Sequence, residues 1–92
     1  MSKSILQEDK VCYVSGSRVN LEKHHIMSGT ANRKLSERYG LWVWLNHDLH
    51  TGKNGAQYEP ELNLRLKREA QTAFEKLYGH EKWMETFRKN YL

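Results

Sequence analysis

One cysteine and one proline in 92 residues set the first limits on this chain. A lone Cys12 allows no intrachain disulfide, which fits a reducing compartment. No apolar run approaches the roughly 20 residues that a membrane span requires, and the chain does not open on the charged, apolar and small segments of a signal peptide. The expectation is therefore a soluble chain in the cytoplasm with no membrane partner. Acidic residues are also in the minority: 15 Lys and Arg stand against 11 Asp and Glu, giving +4 and a pI near 9.3. That excess favours an anionic partner such as nucleic acid. At 38% apolar, with three Trp, five Tyr and two Phe, the chain has enough to fold. Its length predicts one domain with a modest core, 1–92, divided as 1–10 flexible, 11–56 core motif and 60–92 helical extension.

The N-terminal stretch Met1 to Lys10 lacks an apolar period and is expected to lie loosely on the surface. Val11-Cys12-Tyr13-Val14 is β-prone and runs into a Ser15-Gly16-Ser17 turn, which predicts a hairpin or knuckle. A strand follows through Leu21-Glu22-Lys23-His24-His25-Ile26. Neighbouring strand residues face opposite ways, so His24 and His25 take different roles; a polar surface pair is the plainer alternative. Asn32 to Tyr39 reads as a short basic helix burying Leu35 and Tyr39, with Gly40 as its cap. Its Arg33, Lys34 and Arg38 suit phosphate contacts, or simply a solvated charged face.

Leu41-Trp42-Val43-Trp44-Leu45 is apolar on both faces, so this second strand should be covered on both sides, by the short helix after Asn46 and by the long helix further on. Asn46 is a natural N-cap, which puts His47, Asp48 and His50 in the first turns of that short helix. From Pro60 an apolar stripe of Leu62, Leu66, Ala70, Ala73, Phe74 and Leu77 predicts a long helix stopping at Gly79. Arg65, Lys67 and Arg68 lie off that stripe as a second basic patch. A last helix, Glu81 to Arg88, should bury Trp83, Met84 and Phe87, with Tyr91 and Leu92 tucked behind it.

The order of strand with His24-His25, basic loop, second strand and short helix with His50 resembles the HNH, or ββα-metal, endonuclease family. The runs Lys23-His24-His25-Ile26, Ala31-Asn32-Arg33-Lys34, Tyr39 to Leu45 and Tyr78-Gly79-His80-Glu81-Lys82, with the tail Asn90-Tyr91-Leu92, look like small HNH-like proteins of phages and prophages of Gram-positive bacteria. The resemblance implies an α+β fold: a small ββα-metal motif with an added N-terminal hairpin and two C-terminal helices. It implies a metal-dependent phosphodiester hydrolase acting on DNA in the bacterial host cytoplasm. His25 would be the general base, His24, His50 and Asn54 would hold a divalent metal, Mg²⁺ or Mn²⁺, and Arg33, Lys34, Arg38 and Lys53 would contact nucleic acid.

Three departures from the family pattern stand out. Many members carry a structural zinc on two Cys/His pairs; here Cys12 is followed by Ser15, and Asn46 and Leu49 fall where the second pair would be, so no structural zinc is expected. Hydrophobic packing by Trp42, Trp44, Tyr13 and Leu49 should replace it. Gly40 and Leu41 stand where an Asn would orient the general base, leaving a backbone carbonyl to hold His25, and Gln57 stands where a further histidine would be expected. The competing reading is a catalytically degenerate HNH-fold protein that binds nucleic acid or a host defence protein; a small basic domain unrelated to nucleases is the third.

Overall fold

A computed structural model describes residues 3–52, 55 and 59–92. Expectations placed on Lys53, Asn54 and Gln57 lie outside the described residues. The fold is α+β: strand β1 (Leu21–His25), helix α1 (Thr30–Tyr39), strand β2 (Trp42–Asn46), helix α2 (His47–His50), helix α3 (Pro60–Tyr78) and helix α4 (His80–Phe87). β1 and β2 form a two-stranded antiparallel sheet running from Leu21 opposite Asn46 to His25 opposite Trp42. α1 bridges them. Buried Ser36 ties this crossover down, its hydroxyl accepting from Met27 N–H and donating to Met27 C=O, both at 3.1 Å. α1 closes on Gly40 in the left-handed region, φ 71°, as the cap requires.

The sheet's two faces follow the strand period. Leu41, Val43 and Leu45 are fully buried and share one core with Ile26, Met27 and Cys12, with Leu66, Ala70 and Phe74 of α3, and with Trp83 and Phe87 of α4. Phe74, Trp83 and Phe87 pack with ring centroids 4.4–6.0 Å apart, a spacing at which edge and offset contacts are favourable. Trp42 and Trp44 occupy the opposite face and stack edge-on at 5.5 Å. Expected cover by a helix is replaced there by lysines, Lys23 at 4.1 Å over Trp42 and Lys10 at 4.6 Å over Trp44.

Within the N-terminal stretch expected to be loose, the described residues Ser4 to Gln7 are held on the sheet. Ile5 N–H donates to Gly40 C=O (2.9 Å), Ser4 Oγ donates to Trp42 C=O (2.6 Å), and Trp44 N–H donates to the Gln7 side-chain oxygen (2.6 Å). This segment satisfies the outer edge of β2, which an exposed sheet edge otherwise leaves open to pairing with other chains. Where a hairpin or knuckle was expected from Val11, no strand forms and the chain makes a tight turn: Gly16 N–H bonds Cys12 C=O and Cys12 N–H bonds Ser17 C=O, so the backbone pairs with itself. Tyr13 reaches the sheet through one bond to Trp44 C=O (2.7 Å) and α3 through its hydroxyl, which donates to Glu69 at 2.5 Å.

The long helix runs as its pattern predicts, but Leu77 is 61% exposed while Gln71 is fully buried. Gln71 donates to Asn90 and Glu75 and accepts from Tyr91 N–H, so its amide anchors the C-terminal tail. Tyr91 packs against the core and Leu92 stays exposed. The second basic patch is occupied structurally: Arg65 pairs with Glu69 and Arg68 donates to Tyr91 C=O.

Candidate functional site

Period two places Glu22 and His24 on one face of β1 and Lys23 and His25 on the other. The Asn46 side chain caps α2 by accepting from Asp48 N–H (3.0 Å), which turns the chain straight from β2 into a helix lying against β1. His50 is thereby brought beside His24, the ring centroids 5.1 Å apart and the planes at 68°. Glu22 joins the pair from below: His50 Nδ1 lies 2.8 Å from Glu22 Oε1, and His47 Nδ1 lies 2.8 Å from Glu22 Oε2.

A carboxylate at Nδ1 fixes the proton there and leaves the lone pair of His50 on Nε2. His24 is 7% exposed, and its Nε2 is buried with no hydrogen-bond partner among the described residues. Burial, then the neighbouring charges of His50, His25 and Lys67, pushes its pKa down to about 4, so the ring is neutral at pH 7. Two imidazoles with available ring nitrogens thus converge. Neutral imidazole is a good donor to a divalent ion, and an unpartnered buried ring nitrogen is the kind of atom such an ion would satisfy. Among the described residues, no three His, Cys, Asp or Glu side chains gather into a metal-ligand group. Any further protein donor expected at Asn54 falls outside them.

On the other face of β1, His25 Nε2 lies 3.2 Å from Glu37 Oε2, and Lys23 Nζ reaches the same carboxylate at 2.7 Å. The partner of His25 is therefore a side chain of α1 and not the backbone carbonyl expected from the sequence. Glu37 is held below the usual carboxylate range, chiefly by Lys23 and then by His25. His47 is raised by Glu22, and Glu22 in turn is lowered by His47 and His50.

His24, His25, His50 and Glu37 border a cleft of about 900 Å³ between β1 and the start of α1, which Arg33 and Lys34 also line. Arg33 and Lys34 are exposed on it. Arg38 is not among its lining residues and sits 5.5 Å over the Tyr39 ring.

The residues that the family resemblance would set at zinc positions have other work. Asn46 is the α2 cap, Leu49 packs against the core and Ser15 is exposed. Cys12 is buried, yet its thiol pKa is lowered: burial raises it, but hydrogen bonds from Ser15, Asn46 and Val14 outweigh that. Glu22 and Glu37 were missed in the sequence. Glu22 carried a signal, two residues before His24 on the same strand face; Glu37 carried none, because its meeting with His25 depends on how α1 packs on β1. Comparison with family models, curated proteins and solved structures gives no match.

Proposed function

We propose that this chain is a metal-dependent endonuclease of the HNH type that hydrolyses phosphodiester bonds in DNA. The observation that carries the reading is the convergence of His24 and His50, with an unpartnered buried Nε2 on one ring and a carboxylate on the Nδ1 of the other. His24 and His50 would hold the ion, Mg²⁺ or Mn²⁺, leaving its other positions to water and phosphate oxygens. When bound, the ion would supply positive charge to offset the negative charge developing on the phosphate and on the leaving 3′ oxygen.

The remaining work belongs to side chains. Glu22 keeps the His50 proton on Nδ1, and its contact with His47 braces both ends of α2 against β1. Glu37 accepts from His25 Nε2–H, which places the free lone pair of His25 on Nδ1, the atom that takes the proton of attacking water. As that proton arrives, the Glu37 carboxylate stabilises the imidazolium, while Lys23 keeps Glu37 ionised. Arg33 and Lys34 on the cleft wall hold the nucleic-acid backbone.

Plasmid incubation with Mg²⁺ or Mn²⁺, with and without chelator, tests the reading. Metal-dependent nicking that falls by about 10²–10⁴-fold in His25→Ala is expected. Nicking insensitive to chelator, or none at all, refutes it; salt-dependent DNA binding without cleavage would assign the fold to binding alone.

A further inference from the structure

Helix α3 gives the cleft a second wall. Asn63 lines it together with His24 and His50, and Lys67 lies one helical turn further along the same face of α3. The positive charge of Lys67 is felt at His24, which puts its ammonium group within electrostatic reach of the paired imidazoles. None of the chemistry assigned to the cleft uses Lys67.

The C-terminal tail brings another cation to the same place. Arg88 ends α4 at φ 60°, a left-handed conformation that residues other than glycine rarely adopt, and the chain turns back to α3. There Trp83 Nε1 donates to Lys89 C=O (2.8 Å), Gln71 Oε1 accepts from Tyr91 N–H (2.8 Å) and Arg68 Nε donates to Tyr91 C=O (2.9 Å), so the backbone from Lys89 to Tyr91 is fixed. Lys67 Nζ then sits 5.4 Å and Lys89 Nζ 5.3 Å from the centroid of the one Tyr91 ring. Arg65 is committed to Glu69 and Arg68 to the tail, but among the described residues neither Lys67 nor Lys89 has a carboxylate partner. Burial, and then the charge of Lys89, holds the Lys67 ammonium below the usual lysine range. An aromatic ring attracts a cation without supplying net negative charge, so two ammonium groups held at one ring still repel, and an anion between them removes that repulsion.

We propose that Lys67 and Lys89, gathered at the Tyr91 ring, form a phosphate clamp that holds the nucleic-acid strand at the α3 wall of the cleft. The identity of the strand rests on the nuclease reading, whereas the phosphate clamp does not. Arg33 and Lys34 contact the backbone from α1, and a second hold from α3 and the tail fixes the direction of a strand that one hold would leave free to pivot. Both holds are on phosphate, so they set position without reading bases.

Equilibrium binding of the full chain to a short duplex oligonucleotide, in EDTA and over a range of salt, tests the clamp. Lys67→Met combined with Lys89→Met keeps the side-chain stems and removes both charges; it should bind about tenfold more weakly and flatten the dependence of log K on log salt by about 1, the share of one phosphate. Lys76→Met combined with Lys82→Met removes the same charge from exposed positions elsewhere and should stay within about threefold of wild type. Equal weakening in the two pairs would reduce the effect to net charge and overturn the clamp, as would wild-type affinity in the first pair or no binding by wild type. Lys67→Arg combined with Lys89→Arg should bind as wild type does; weak binding there would trace the lysines to packing of the tail and overturn the clamp. A polyglutamate peptide forms the last arm, and tighter binding to it than to the duplex would assign the patch to an acidic protein and overturn the strand. Clamp-dependent binding with no metal-dependent nicking leaves the clamp standing and refutes only the nuclease reading, whereas nicking with unchanged binding in the first pair refutes only the clamp.

Discussion

Replacing His24 with leucine should stabilise the metal-free protein and erase a specific part of its pH dependence. His24 lies opposite Val43 in the sheet, 7% exposed, with its Nε2 unpartnered, so leucine of similar volume removes an unsatisfied polar atom worth about 1–3 kcal/mol. The pH term follows from linkage. In the unfolded chain the imidazole binds a proton near pH 6.5, whereas in the fold it does so only at about 4. Between those values the unfolded state binds more protons, so stability falls as pH drops through the window. At ~1.36 kcal/mol per pKa unit, the full loss is about 3 kcal/mol, of which roughly 2 kcal/mol is already gone at pH 5. Urea denaturation of wild type and His24→Leu at pH 7 and pH 5 measures it. The variant should exceed wild type at both pH values, and by about 2 kcal/mol more at pH 5. A variant less stable than wild type at pH 7, with an unchanged pH 5 difference, would refute the burial of a neutral, unsatisfied His24.

Three further outcomes follow from the fold. Gly40→Ala puts a Cβ against the Lys3 carbonyl oxygen at a left-handed φ of 71°, so thermal denaturation should show a loss of at least about 1–2 kcal/mol; no change would mean the N-terminal segment is not docked on β2. Phe74→Ala, at the centre of the Trp83–Phe87–Tyr39 ring contacts, should cost about 3–5 kcal/mol by denaturant titration. Elemental analysis of purified protein should find no stoichiometric zinc, since Asn46, Leu49 and Ser15 are committed to capping, packing and the surface; one zinc per chain would contradict that.

Helices α3 and α4 and both strands were legible because their apolar periods coincide with the buried faces, and the Asn46 cap because its chemistry is local. The Glu22–His24 face could be read from the same alternation. What escaped depends on three-dimensional packing of polar atoms. Gln7 acts as a strand-edge acceptor, Gln71 is buried to hold the tail, and Glu37 meets His25 across an element boundary. Polar residues in such roles carry no hydrophobic period, so sequence pattern placed Leu77 in the buried stripe, gave no sign of Gln71, and left the first ten residues loose. The hairpin over Val11–Val14 failed for a related reason: β-propensity was there, but the Ser15-Gly16-Ser17 turn folded the backbone onto itself.

The central claim is that His24 and His50 form one divalent-ion site, and Mn²⁺ titration followed by paramagnetic broadening of amide resonances tests it most directly. Substoichiometric Mn²⁺ should broaden the amides of Glu22 to His25 and His47 to His50 first, and the effect should vanish in both His24→Leu and His50→Ala. Broadening spread over surface carboxylates, or the same pattern in the variants as in wild type, would contradict it.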